Sequence, residues 1–334
     1  MTSLPLIGDL FSSSIIKRYP ENPILDAASV PYPTALVFNA GVTKFNGKYV
    51  MVFRNDYGSL EKQSIEPHHT TDLGIAFSDD GIHWKAGPKP CFKMHNDEIV
   101  RAYDPRLTVI DGRCYMCFAV DTLHGIRGGV AVTDDFEHFE VLSLSTPDLR
   151  NMVLFPEKIH NRYVRLERPF TVYSRGGIDR FDTWISESPD LKFWGNSDLL
   201  LAVEQVPFAN DKIGPAAPPV KTEKGWLTLF HAVDIDPSRG KNGWEPTWKK
   251  RYTAGIMLLD LDYPKKIVGM YKKPLLAPEA DYEVDGGFRN HVIFPGGMVL
   301  EESGEVKIYY GAADTVECLA TAHVDDLLKL CLEG

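Results

Sequence analysis

Asp104, in the run RAYDPRL, and four basic residues, Arg150, Arg168, Lys212 and His231, are the set in this chain best suited to chemistry. A carboxyl group buried among apolar rings keeps its proton near neutral pH and can hand it to a leaving oxygen. Guanidinium groups grip phosphate oxygens through paired hydrogen bonds, while lysine supplies a point charge. One acid with several cations points to cleavage of a glycosidic bond by phosphate. Inverting cleavage by water needs a second carboxylate to activate the water, whereas the phosphate dianion is already a competent nucleophile. Each residue alone also has a bland reading. An aspartate before proline is often a turn former, Arg168 beside Glu167 reads as a surface pair, Lys212 as a solvated loop residue and His231 as a hydrogen-bonded core histidine. Together, however, these residues recur at corresponding places in a repeat, which points to a site.

That repeat has five copies, starting at Phe38 (FNAGVTKFNGKYVMVFR), Tyr103 (YDPRLTVIDGRCYMCFAV), Arg150 (RNMVLFPEKIHNRYVRLERP), Lys212 (KIGPAAPPVKTEKGWLTLFHAV) and Arg289 (RNHVIFPGGMVLEESGEVKIYYGAAD). Each has two alternating apolar runs joined by a Gly or Asn turn, the signature of a β-hairpin. Between copies come FSDDGIHW, VTDDFEHF and SESPDLKFWG, which share a strand end, an acidic turn and an aromatic restart, as outer hairpins would. The turns at Gly47, Gly112, Asn161, Gly225 and Gly304 lie 65, 49, 64 and 79 residues apart, room for one four-stranded blade per interval. The expected fold is therefore an all-β five-bladed propeller with short terminal helices, a single domain over residues 1–334. Helical spacing is confined to VDDLLKLCLEG at the carboxyl end and to a segment around Asp9 to Tyr19. Innermost strands line the axis of a propeller, so the copy starts (Asn39, Asp104, Arg150, Lys212, His291) and hairpin ends (Arg54, Arg168, His231, Asp314) converge on one funnel.

The 334 residues are 44% hydrophobic and 25% charged, enough to bury a full core, and the formal charge is −10. An acidic balance without a long basic run excludes a nucleic-acid or anionic-membrane surface and points to a small partner. Of the five cysteines, Cys114 and Cys117 share one strand run and face opposite ways, so neither disulfide nor metal use is expected. No run reaches membrane-spanning length, and the amino end lacks a basic start followed by an apolar stretch, which makes the cytoplasm the expected location.

FNAGV, VFRND, YDPRL, RNMVLFP, ERP, KIGPAAP, LFHAV, LLDLDYP and YYGAADT, in this order, give the chain a resemblance to glycoside hydrolase family 130, the inverting β-mannoside phosphorylases and their hydrolase relatives, which are five-bladed propellers. The resemblance implies that Asp104 is the catalytic acid, passing its proton to the glycosidic oxygen through the mannose 3-hydroxyl. It implies that Arg150, Arg168, Lys212 and His231 bind phosphate, and that Asn39, Arg54, Asp56 and Asp314 hold the mannose. It implies no cofactor, since inorganic phosphate is a co-substrate. Related propellers often associate so that a neighbour's loop closes the acceptor side, so a homo-oligomer is a further implication.

The departures fall where the acceptor sugar would sit. Ala40 replaces a serine found in β-1,4-acting relatives, HGIRGGV from His124 replaces HGPTIGV, and PFTVYSRGGIDRFDTW after Arg168 differs from their pattern. FDTWISESPDLKFWG is closer to relatives acting on β-1,2-mannosides, with β-1,4-mannosyl-glucose and β-1,4-manno-oligosaccharides as the alternatives. His291 stands where a proline is expected. Trp244 and Trp248, on a polar insertion, suit either sugar stacking or subunit packing. Tyr252 is a candidate pocket wall. Cys114, Cys117, Phe118, Trp226 and Tyr309 belong to blade cores. A water-using β-mannosidase would need a base from Glu157, Glu167 or Asp182, and a silent glycan-binding propeller would need no acid.

Overall fold

The computed structural model of the chain describes residues 5–58, 70–170, 181–239 and 248–334. Strand β1 (Lys17–Arg18) comes first in the chain but is used last, at the edge of the fifth sheet. Four sheets then follow in order. They comprise β2 (Leu36–Phe45), β3 (Lys48–Asp56), β4 (Thr71–Ser78) and β5 (Lys85–Ala86); β6 (Ile99–Ile110), β7 (Arg113–Thr122), β8 (Gly125–Thr133) and β9 (Glu140–Leu144); β10 (Leu149–Leu154), β11 (Tyr163–Pro169), β12 (Thr183–Ser188) and β13 (Gly195–Leu201); and β14 (Lys212–Pro215), β16 (Gly225–Ile235), β17 (Lys250–Leu259) and β18 (Ile267–Met270), with β15 (Val220–Thr222) also on β16. The fifth contains β19 (Ile293–Leu300), β20 (Glu305–Ala312), β21 (Val316–His323) and finally β1. Every neighbour within a sheet is antiparallel, and the five form the blades of a five-bladed β-propeller. A single parallel contact, Gly297 to Val42, ties the fifth blade to the first.

The five repeated copies are the two inner strands of the five blades. The acidic turns between them work alike. Asp80 accepts from the backbone N–H groups of Ile82 and His83, Asp135 from those of Glu137 and His138, and Asp190 from those of Lys192 and Phe193, all at 2.8–2.9 Å. A side chain that caps its own turn fixes the angle at which each outer hairpin leaves the sheet. Cores lie between blades. Trp226, Phe230, Tyr309 and Phe155 are fully buried there, and Cys114 and Cys117 fall in different clusters on opposite faces of β7.

The amino segment corrects one expectation. Around Asp9 to Tyr19 there is no helix; this stretch makes a turn at Ser14 and Ile15 and enters β1, where Lys17 pairs with Thr321 and Arg18 with Ala320. Strand β21 would otherwise present an open edge, and pairing it satisfies more backbone groups than an isolated short helix could. Ion pairs from Arg18 to Glu279 and Glu283 hold the segment down. At the other end the expected helix, α2, is present (Val324–Glu333; α1 is the single turn Asp281–Val284), burying Leu327, Leu328 and Cys331.

The feature that positions the site is a bulge near the start of the inner strand. Register breaks between Phe38 and Gly41, between Tyr103 and Arg106, and between Arg150 and Val153. Within each break one residue is left-handed: Asn39 (φ 54°), Asp104 (φ 52°) and Asn151 (φ 56°). Asn and Asp tolerate this conformation best among residues with a side chain, and a bulge releases them from the ladder to point at the axis.

Candidate active site

At the copy-start end of the axis a cavity of about 320 Å³ is lined by side chains from all five blades. One side is built around carboxylates. Asn39 Nδ2 donates to Asp104 Oδ1 at 3.1 Å, and Arg54 Nη1 stands 3.7 Å from the same oxygen. With donors facing Oδ1, a transferable proton belongs on Oδ2. Arg54 forks onto Asp56 through Nε (2.9 Å) and Nη2 (2.6 Å), and the Thr71 hydroxyl donates to Asp56 at 2.8 Å. Burial opposes ionisation of Asp56, but Arg54 outweighs it and holds the carboxyl below its ordinary value. Asp314 accepts from Arg289 at 2.9 Å; burial, with Asp104 nearby, leaves its pKa raised. Asp121 takes Arg101 and the Tyr103 hydroxyl, both at 2.7 Å. Asp104 is thus surrounded by an amide and a guanidinium instead of the apolar rings expected for it.

The other side is cationic. Arg150, Arg168 and Lys212 line it, with Tyr252 beneath the Lys212 ammonium at 5.4 Å from the ring centre. Arg168 is 1% exposed, yet among the described residues its Nε and Nη2 have no hydrogen-bond partner, nor has Arg150 Nε. The Nε and Nη2 edge is the one that Arg54 turns to Asp56 and Arg113 turns to Asp134 elsewhere in the molecule. In Arg168 that edge is vacant. Burial and the charge of Arg150 push the Arg168 guanidinium down to about 9, and burial with Arg168 and Lys250 nearby puts Lys212 well below its usual value. Among the described residues the nearest carboxylate oxygen to Lys212 is on Asp211 at 4.0 Å, and that oxygen lies closer to Lys250, at 3.1 Å. Buried donors left unpaired beside crowded like charges make a site that an oxyanion would complete.

His231 differs from the expectation of a fourth cation. It is fully buried, does not line the cavity, and its Nε2 stands 3.0 Å from Arg168 Nη1. An arginine can only donate, so Nε2 accepts and the proton sits on Nδ1, which donates to the Pro215 carbonyl at 3.2 Å. Burial and the charges of Arg168 and Lys212 keep the imidazole neutral. His231 therefore fixes the rotation of Arg168, leaving the forked edge free.

The cavity collects Asn39, Arg54, Asp56, Asp104, Arg150, Arg168, Lys212, Tyr252 and Asp314. Trp248 is also in its wall, stacked on Tyr252 at 5.8 Å and under Arg289 at 4.9 Å, whereas Trp244 lies outside the described residues. His291 is not in the lining. None of the candidate bases lines the cavity. Glu157 pairs with Lys221, Glu167 with Arg165, and Asp182 accepts from the Val203 N–H. Arg101, Asp121, Asn151, Phe288 and Arg289 line the cavity without having been singled out. Asn151 had a readable signal: aligned copies place it with Asn39 and Asp104, the left-handed residues of the other two bulges. The pairing of Arg101 with Asp121 had none, because it depends on strand register.

A family model described as β-1,4-mannooligosaccharide phosphorylase matches residues 15–333. The chain belongs to glycoside hydrolase family 130. It is 29% identical to a β-1,2-mannobiose phosphorylase of Listeria innocua, over 90% of this chain and 94% of that protein. It is 32% identical to a β-1,4-mannooligosaccharide phosphorylase of Ruminococcus albus, over 94% and 90%. A solved structure of a β-1,2-mannobiose phosphorylase from Listeria innocua in complex with β-1,2-mannobiose superposes with a TM-score of 0.80 at 26% identity, covering 96% of this chain and 99% of that one. These family members are similar to the chain across its blades, which fits a site drawn from all five.

Proposed function

We propose that this protein cleaves a β-mannoside with inorganic phosphate and inversion, releasing α-mannose 1-phosphate and a shortened acceptor. The observation that carries the reading is the Arg168 edge, vacant among the described residues, beside Arg150 and Lys212 in the cavity that also holds the Asp104 carboxyl. Hydrogen phosphate dianion, held by Arg150, Arg168 and Lys212, attacks the anomeric carbon opposite the leaving group. As the carbon–oxygen bond breaks, the Asp104 proton passes to the leaving oxygen, and the proton on phosphate restores Asp104 afterwards. Asn39, Arg54, Asp56 and Asp314 orient the mannose. His231 acts through Arg168. The cations neutralise the nucleophile, so the reading calls for no cofactor.

Hydrolysis on the same scaffold lacks support, because among the described residues every carboxylate lining the cavity besides Asp104 is already paired with an arginine. For linkage, the run FDTWISESPDLKFWG and the likeness to the Listeria innocua enzyme favour β-1,2. A β-1,4 substrate is the second reading, favoured by the Ruminococcus albus relative. Five free cysteines suit a reducing cytoplasm, and among the described residues no helix is long and apolar enough to cross a membrane. The test is release of mannose 1-phosphate from β-1,2- and β-1,4-mannobiose, each with and without phosphate. Phosphate-dependent product from the β-1,2 disaccharide alone is expected; free mannose formed equally without phosphate refutes phosphorolysis.

A further inference from the structure

The bulge at Asn39 removes one peptide group, the C=O of Asn39 and the N–H of Ala40, from the β2–β3 ladder. Both ends of that peptide are taken up by charged-type side chains from other blades. Arg106 Nη1, on β6, donates to the Asn39 carbonyl at 3.2 Å, and Glu317 Oε1, on β21, accepts from the Ala40 N–H at 2.6 Å. Arg106 is anchored in turn by the carbonyls of Ala216 (2.7 Å) and Pro105 (2.7 Å), so it joins three blades at the axis. Arg106 is 2% exposed, Glu317 is 0% exposed, and neither lines the cavity. The turn is also embraced by glycines. A Cβ on Gly296 would stand 1.9 Å from the Ala40 carbonyl, and one on Gly311 would stand 2.7 Å from the Asn39 nitrogen. The surroundings of this left-handed residue bear on Asp104, because the Asn39 amide is the group that donates to it.

We propose that Arg106 and Glu317 are positioning residues of the cleavage reaction, gripping the two ends of the Asn39–Ala40 peptide so that the Asn39 amide stays on Oδ1 of Asp104. The proton to be transferred is thereby confined to Oδ2. Glu317 does this as a neutral group: burial pushes its carboxyl up to about 8, and a neutral carboxyl still offers an acceptor oxygen to the Ala40 N–H. The role rests on Asp104 being the acid, as proposed above.

Glu317→Ala, Glu317→Gln and Arg106→Lys test it. Glu317→Ala leaves the Ala40 N–H unpaired and is expected to lower kcat roughly 10- to 100-fold, part of the range a general acid supplies, while KM for phosphate stays within about twofold. Glu317→Gln keeps the acceptor oxygen without the acid, and should hold kcat within about threefold of wild type. Arg106→Lys cannot reach three carbonyls at once and should behave as Glu317→Ala does. Hydrogen exchange over residues 36–45 supplies a readout independent of turnover: faster in Glu317→Ala, unchanged in Glu317→Gln. A folded Glu317→Ala with wild-type kcat, or one whose phosphate KM rises in step with the loss of kcat, overturns the proposal. If Glu317→Ala does not fold, Glu317→Gln decides alone, since a more than tenfold loss of kcat in that folded variant overturns it too. Wild-type protein that releases no sugar phosphate would instead sink the phosphorolysis reading, and the exchange comparison would still judge the clamp.

Discussion

Replacing Arg168 with lysine keeps a positive charge at the cavity wall and removes the forked edge. In the structure that edge, Nε and Nη2, is vacant and buried, while Nη1 is held by His231. Phosphate would take two charge-assisted hydrogen bonds from it, each worth about 1.5–3 kcal/mol. A lysine restores one at best, so the variant loses about 1.5–3 kcal/mol of phosphate binding in the transition state. That is roughly a 10- to 150-fold fall in kcat/KM for phosphate. Lysine also leaves His231 Nε2 without its donor, which makes the lower figure a floor. The assay is initial-rate release of sugar phosphate against phosphate concentration at saturating mannoside, with the melting temperature measured beside it. A folded Arg168→Lys enzyme whose kcat/KM for phosphate stays within about threefold of wild type would show that the vacant edge does not face the nucleophile.

Asp104→Asn preserves shape and the bond from Asn39 but carries no acidic proton; kcat should fall by about 10²- to 10⁴-fold with the circular dichroism spectrum unchanged, and a rate near wild type removes Asp104 as the acid. Lys212→Met should abolish phosphate-dependent turnover yet raise the melting temperature of the phosphate-free protein by a few degrees, because it removes an ammonium buried among like charges. Its sign with pH follows from linkage. The folded pKa of Lys212 lies below the unfolded one, so its penalty is complete below the folded value and fades as pH rises toward the unfolded one. The variant's thermal advantage must shrink in alkali, and an advantage that grows there contradicts the assignment. Trp248→Ala, which strips the outer ring of the stack on Tyr252, should raise KM for the mannoside about tenfold and leave KM for phosphate alone; the reverse pattern in bisubstrate kinetics would move Trp248 to the phosphate side.

The local code in this chain is strong because it is written in turns. A Gly or Asn at each hairpin tip, an aspartate that caps its own outer turn, and alternation along each strand are short-range effects, so the five blades were readable without a partner chain or an alignment. Asp104, Arg150, Arg168, Lys212, Asn39 and Asp314 were readable for the same reason: they occupy corresponding places in a repeat, and a closed propeller brings corresponding places together. What happens to the amino segment was not readable. Its apolar residues suit a helix, and only the open edge of β21, some 300 residues away in sequence, makes a strand the better use of it.

Charge state and bond partner are likewise properties of the assembled molecule. His231 is a basic residue in the sequence and a neutral hydrogen-bond acceptor in the fold, because closing the blades removes water from it and sets Arg168 and Lys212 beside it. Glu317 reads as an ordinary strand glutamate, and burial against Ala40 turns it into a neutral grip on the turn that carries Asn39. Sequence by itself determined the repeat, the blades and the residue types offered to the axis, since propensity and turn chemistry act over a few residues. Tertiary structure decided which of those residues are charged, which are spent on one another, and that the Nε and Nη2 edge of Arg168 is left without a partner among the described residues, since desolvation and pairing exist only once distant strands have met.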